Sequence, residues 1–198
     1  MKKLLMIHQW DDKYLNLKLD DYILTFDDGL HSQIDGIKKI VNIYPDIEIQ
    51  YYISTGIINI ENVPSTYNDC RTAHSRFFND NITSDYVTYD DLTYLKNLPN
   101  VTIGLHGHKH LNLNHLKKNK SLNDYYKLIE DDIKEMLFGA INLSQFNILN
   151  NDIILFCTPY NQLDPLYNAV MRKQFNLYFP KAEIKVIGPG REDIDKLI

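Results

Sequence analysis

Two stretches carry the side chains most able to do chemistry. At residues 23–29 an apolar run ends on two adjacent aspartates and a glycine, ILTFDDG, and at 106–110 three histidines alternate with other residues in HGHKH. A third stretch, Thr158-Pro159-Tyr160, closes another apolar run. Imidazole nitrogen and carboxylate oxygen are donors that zinc accepts at about 2.0 to 2.2 Å, and a catalytic zinc keeps a position open for water. His106 and His110 stand four apart, so in a helical or turn-like segment they share a face from which His108 points away. Neighbouring side chains of a strand point in opposite directions, so Asp27 and Asp28 serve different ends: one carboxylate completes a metal site with the outer histidines, and the other takes a proton from water. Spacing leaves open which aspartate does which. The plain alternative, a turn in which an aspartate caps the next helix, is outweighed by the histidine pair.

Such residues need a scaffold that collects distant segments. KLLMIH (3–8) and DYILTF (21–26) read as short strands, the second apolar enough to be covered on both faces. After the DDG turn, Ile34, Ile37, Ile40, Val41 and Tyr44 recur at helical spacing until Pro45. IEIQYYIS (47–54) is the next strand, and the polar stretch 59–84 lacks clear periodicity and reads as a long loop of the kind that carries function. Thr88 and Asp91 form a capping box ahead of Leu92, Leu95 and Leu98. VTIGLHGHKH (101–110) is a strand running into a loop. A helix over 122–138 follows, with Tyr126, Ile129, Ile133, Met136 and Leu137 on one side. DIILFCTPY (152–160) is a further buried strand, and Asp164 with Pro165 opens a helix carrying Leu166, Ala169, Val170 and Phe175. Strands alternating with helices imply a mostly parallel sheet, open or closed into a barrel, with its chemistry at the carboxyl ends of the strands.

Composition bounds the rest. With 198 residues the expectation is a single domain, residues 1–198, and 44% hydrophobic content is enough for a packed core. A formal charge of −5 with scattered lysines excludes a nucleic-acid partner. Cys70 and Cys157 are the only cysteines, too far apart in sequence for a paired-cysteine zinc motif, and are expected to be reduced bystanders. The N-terminal apolar residues are interrupted by His8 and Asp11-Asp12, so neither an export signal nor an integral membrane segment is expected, and the expected location is cytoplasmic. His8 and His115 read as ordinary histidines.

TFDDG, an H-x-x-x-H turn after IG, and a strand ending in T-P-Y together resemble the polysaccharide deacetylase (NodB-homology) family of carbohydrate esterases. QYYISTG (50–56) and VTIGLHGHKHLNL extend the resemblance over nearly the whole chain from Asp21 onward. It implies an α/β fold, a distorted (β/α) barrel of about seven strands rather than the regular eight. It also implies that Asp27 is the general base and that Asp28, His106 and His110 bind a divalent metal, most often zinc. The implied reaction removes an N-acetyl or other acyl group from an amino sugar, with the backbone N–H of Tyr160 helping to hold the oxyanion and Pro159 in the substrate-binding motif.

The chain departs from the family pattern in several places. No histidine follows His115, so the family's late catalytic acid is missing; by position, His31 or His74 stands in. Gly107 replaces the Ser or Thr usual after the first ligand histidine. The third motif lacks an arginine, and Arg191 in GPGRED is the candidate to supply that charge beside Asp27. The expected substrate is an amino sugar or glycan, in surface-polysaccharide or sugar-precursor metabolism. Two alternatives keep the fold: a hydrolase of cyclic, non-sugar amides, with Arg71, His74 and Arg76 recognising an anionic group, and a metal- or sugar-binding member without turnover.

Overall fold

Short apolar segments make the strands, and what lies between them makes the helices. The computed structural model describes residues 2–65, 69–149 and 152–198. Its strands are β1 (Lys3–Ile7), β2 (Tyr22–Phe26), β3 (Ile49–Ile53), β4 (Val101–Leu105), β5 (Ile153–Cys157), β6 (Glu183–Ile187) and β7 (Glu192–Asp193). Its helices are α1 (Ser32–Ile43), α2 (Cys70–Asp80), α3 (Tyr89–Lys96), α4 (Leu113–Asn119), α5 (Leu122–Asn142) and α6 (Pro165–Tyr178). The seven strands run parallel in the order β6-β5-β4-β3-β2-β1-β7, and with the intervening helices they make the α/β class of about seven strands expected from the sequence.

The chain divides into two compact units. The first comprises Met1–Ile53, Ile57–Ile103 and Gly190–Ile198. In it β1 pairs with β2 from Lys3↔Tyr22 to Ile7↔Phe26, so both strands end at the same level. The C-terminal β7 pairs with β1 through Leu5↔Glu192 and Met6↔Asp193, which delivers Arg191 to the β2 end. Leu5, Ile7, Leu24 and Phe26 are fully buried, and α1 buries Ile34, Ile37 and Ile40. A smaller cluster of Leu30, Ile57, Ala73, Phe77 and Tyr86 seats α2, with Cys70 packed against it.

The second unit comprises Ser54–Gly56 and Gly104–Pro189. Here β5 pairs with β6 from Ile153↔Glu183 to Cys157↔Ile187. The α5 helix buries Tyr125, Ile129, Ile133, Met136 and Leu137, and α6 buries Tyr167, Val170, Met171 and Phe175. Complete burial of Ile129, Ile133 and Met136 contributes on the order of 2 kcal/mol each.

Several sequence expectations are corrected. The stretch 59–84 contains α2; only Ala73 and Phe77 of its 11 residues are buried, too few for a visible apolar stripe. Residues 66–68 of that stretch lie outside the described residues. The 122–138 helix continues to Asn142, and Tyr125 rather than the exposed Tyr126 faces inward. In α6, Tyr167 and Met171 do the packing expected of Leu166 and Ala169; Ala169 is exposed. The strands β6 and β7 and the helix α4 have no counterpart in the sequence reading, because β6 alternates charged and apolar residues, β7 spans two residues and α4 buries only Leu113. The capping box of Thr88 and Asp91 is present as expected. Among the described residues no helix is long and apolar enough to cross a membrane.

Candidate active site

Asp27 and Asp28 point apart because the chain turns sharply beneath them. Asp28 has φ 72° and Gly29 φ 69°, two successive left-handed residues that end β2. Gly29 is needed there: a Cβ would lie 3.2 Å from Ile53 Cγ2 in a conformation L side chains rarely adopt. Gln33 locks the turn, donating from Nε2 to Asp27 O (2.7 Å) and to His8 O (2.8 Å) and accepting Leu30 N–H (3.1 Å).

The Asp27 carboxylate is gripped by Arg191, Nη1 to Oδ1 at 2.7 Å and Nη2 to Oδ2 at 2.6 Å, with both side chains only 2% exposed. Arg191 Nη1 also donates to Thr25 Oγ1 at 2.9 Å. Such a fork is the strong form of a charge-assisted pair, and it fixes the direction of both carboxylate oxygens. His8, at the carboxyl end of β1, brings Nε2 to 3.9 Å from Asp27 Oδ2 with 42% of its side chain exposed. The sequence reading missed it. The signal was its place directly after a strand parallel to the one that carries Asp27.

Asp28 faces α2. Cys70 Sγ donates to Asp28 Oδ2 at 3.3 Å, and His74 Nε2 lies 3.8 Å from Asp28 Oδ1. Burial first, then the charge of Asp28, pushes the Cys70 thiol well above its ordinary pKa, so it is a protonated donor here. Asp69 caps α2, accepting from Arg71 N–H (2.9 Å) and Thr72 Oγ1 (2.7 Å). Arg71 itself is exposed, and Arg76 is spent on Asp85, with Nη1 at 2.9 and 2.8 Å from its two oxygens. His31 binds Asp91, Nδ1 to Oδ2 at 2.6 Å, and the Asp91 hydrogen bond raises its pKa against the opposing effect of burial. Of the two stand-in acids, His74 is at Asp28, whereas His31 belongs to the α3 capping box.

The histidine loop of the second unit is a turn without helix. Gly107 has φ 83° and His110 φ 53°, and these reversals bring the His106 and His110 rings together with centroids 4.9 Å apart. The loop is tied down by Thr55 N–H to Gly107 O (3.1 Å), Gly56 N–H to His108 O (3.0 Å) and Ser54 Oγ to His106 O (3.0 Å). The buried Asp132 of α5 accepts Lys109 N–H at 3.0 Å and Tyr167 O–H at 2.9 Å. Thus Asp132, unforeseen from sequence, supports the turn where relatives of the resembled family have a hydroxyl in place of Gly107. Burial pushes its carboxyl pKa up, opposed by those hydrogen bonds.

His106 Nδ1 lies 2.9 Å from Cys157 O. A carbonyl only accepts, so the proton sits on Nδ1 and Nε2 is the lone-pair nitrogen, the arrangement found in metal-ligating histidines. His108 is bonded through Nδ1 to Thr55 Oγ1 at 3.0 Å, and burial lowers its pKa, so it is a neutral loop anchor. Pro159 is buried and begins the turn in which Tyr160 takes φ 54°; the half-exposed Tyr160 ring lies against His110, tilted at 44° with centroids 4.6 Å apart. Asp28 in the first unit, and His106 and His110 in the second, are each buried.

By sequence, no protein family and no curated protein matches the chain. By structure, it is similar to IcaB from Ammonifex degensii, with a TM-score of 0.56 and 14% identity over 88% of this chain and 81% of that one. It is also similar to a de-N-acetylase from Aggregatibacter actinomycetemcomitans, with a TM-score of 0.51 and 16% identity over 77% of this chain and 59% of that one. The likeness is one of fold.

Proposed function

We propose that the chain is a metal-dependent hydrolase that removes an N-acetyl or related acyl group from an amino sugar. The observation that carries this reading is the kind of donor that the strand ends offer: a buried carboxylate, Asp28, after β2, and two buried imidazoles, His106 and His110, after β4. The donor set suits a divalent ion, zinc first, because it is buried, mixes oxygen with imidazole nitrogen, and has the His106 tautomer fixed by the Cys157 carbonyl. A divalent ion held there supplies Lewis acidity and lowers the pKa of water toward about 7.

The chain's own residues do the rest. Asp27 takes the proton of the attacking water. Arg191 donates to both Asp27 oxygens, so the base is held in one orientation. His8, beside Asp27 and partly open to solvent, returns a proton to the departing amine, the role left vacant in the sequence. The Tyr160 backbone N–H stabilises the developing oxyanion, and its half-exposed ring offers a sugar an apolar face. The substrate is an amino sugar of surface-polysaccharide or sugar-precursor metabolism.

The test is acetate release from N-acetylated sugar oligomers and from nucleotide- or lipid-linked donors, with and without a chelator. Release that stops on metal removal and returns with zinc supports the reading; release that continues from fully metal-free protein overturns it.

A further inference from the structure

A second group of metal-ligating side chains lies within the first unit. Cys70 and His74 stand four residues apart on α2, so they share a face, and that face is turned to Asp28. The donor atoms of Asp28, Cys70 and His74 all lie within 4.8 Å of one another. Two ligands at about 2.3 Å (sulfur) and 2.0 Å (oxygen or nitrogen) from a tetrahedral ion are about 3.5 Å apart, and an oxygen–nitrogen pair about 3.3 Å. Cys70 Sγ to Asp28 Oδ2 is 3.3 Å and His74 Nε2 to Asp28 Oδ1 is 3.8 Å, close to those separations.

The histidine is also oriented for coordination. Its Nδ1 lies 3.1 Å from Cys70 O and 3.4 Å from Cys70 Sγ, and Nε2 is the nitrogen that faces Asp28. Phe78 stacks on the ring with centroids 6.0 Å apart, and Tyr86 meets its edge at 6.1 Å. The Asp69 cap fixes the first turn of α2, where Cys70 sits.

We propose that Asp28, Cys70 and His74 form a thiolate-containing metal site that takes a thiophilic divalent cation such as Zn2+. Binding replaces the thiol S–H by a sulfur–metal bond, the proton leaving to solvent. The site shares Asp28 with the triad above, while Cys70 and His74 belong to it alone, so a readout on the thiolate is distinguishable from the deacetylase reading.

Cobalt(II) substitution of the full chain tests it. The expected result is a thiolate-to-cobalt charge-transfer band in the near ultraviolet, absent in Cys70→Ser, weakened in His74→Ala and retained in His106→Ala. Thermal unfolding of each apo variant verifies folding, with Cys70→Ala as a second removal of the thiol. Cobalt bound without the band in the unmodified chain overturns the proposal, as does a band that vanishes in a folded His106→Ala. Acetate release is read separately: its absence with the band intact sinks only the deacetylase reading, and its presence without the band sinks only this site.

Discussion

Arg191 and Asp27, 164 residues apart in the chain, form a two-pronged ion pair at 2.7 and 2.6 Å in which neither side chain is more than 2% exposed. Buried charges of this kind are tolerated because each satisfies the other, and removing one partner strands its mate. We expect Arg191→Ala to lower unfolding stability by about 3 to 5 kcal/mol in urea titrations. Arg191→Lys should recover part of that stability but little turnover, because a single ammonium cannot orient both carboxylate oxygens.

Asp27→Asn separates base from ligand. Turnover should fall by at least about 100-fold, the usual scale for losing a positioned base. Zinc content, measured by atomic absorption after gel filtration, should stay at the level of the unmodified chain. Loss of zinc together with activity would instead make Asp27 a ligand.

For His8, the expected outcome of His8→Gln is a loss in kcat of roughly 100- to 10,000-fold with an unchanged zinc content. A kcat close to that of the unmodified chain would remove His8 from the chemistry.

Asp132 acts at a distance through the histidine turn. Asp132→Ala leaves Lys109 N–H and Tyr167 O–H without their acceptor, which should cost about 1 to 3 kcal/mol of stability. Zinc affinity, measured by chelator competition, should weaken by about 10- to 100-fold because the support of a ligand loop is lost.

The His31–Asp91 pair should make stability depend on pH. The Asp91 hydrogen bond raises His31 above its ordinary 6.5, so this contribution is complete below 6.5 and is lost as pH rises through the raised folded value. For Asp91, burial pushes the pKa up, but His31 and the Thr88 N–H and hydroxyl outweigh it and hold the carboxyl below 3.8. Its contribution is therefore present above 3.8 and is lost as pH falls through the lowered value. Thermal unfolding should show a Tm that declines as pH rises above 6.5, with that part of the decline absent in His31→Gln.

Much of this was legible in the residues alone. The strand cores at β1 to β5 show as apolar runs, because a strand covered on both faces must be apolar along its length. The helices α1, α3, α5 and α6 show as 3.6-residue periodicity, with Thr88, Asp164 and Pro165 marking their starts. The aspartate pair and the outer histidines stand out because metal donors at strand ends have few structural reasons to cluster. By contrast α2, β6 and β7 bury too little of their own surface to leave a pattern.

Residue type and spacing therefore marked out the candidate donor and proton-transfer groups and the strands β1 to β5. Which partner each side chain meets was decided by strand register and by left-handed turns. The pairing of β7 with β1 carries Arg191 to Asp27, the shared level of β1 and β2 brings His8 beside it, and the φ 72° turn at Asp28 aims its carboxylate at Cys70 and His74. These contacts join residues dozens to more than a hundred positions apart, and no local periodicity encodes them, because their energy is gained only when the chain has closed on itself.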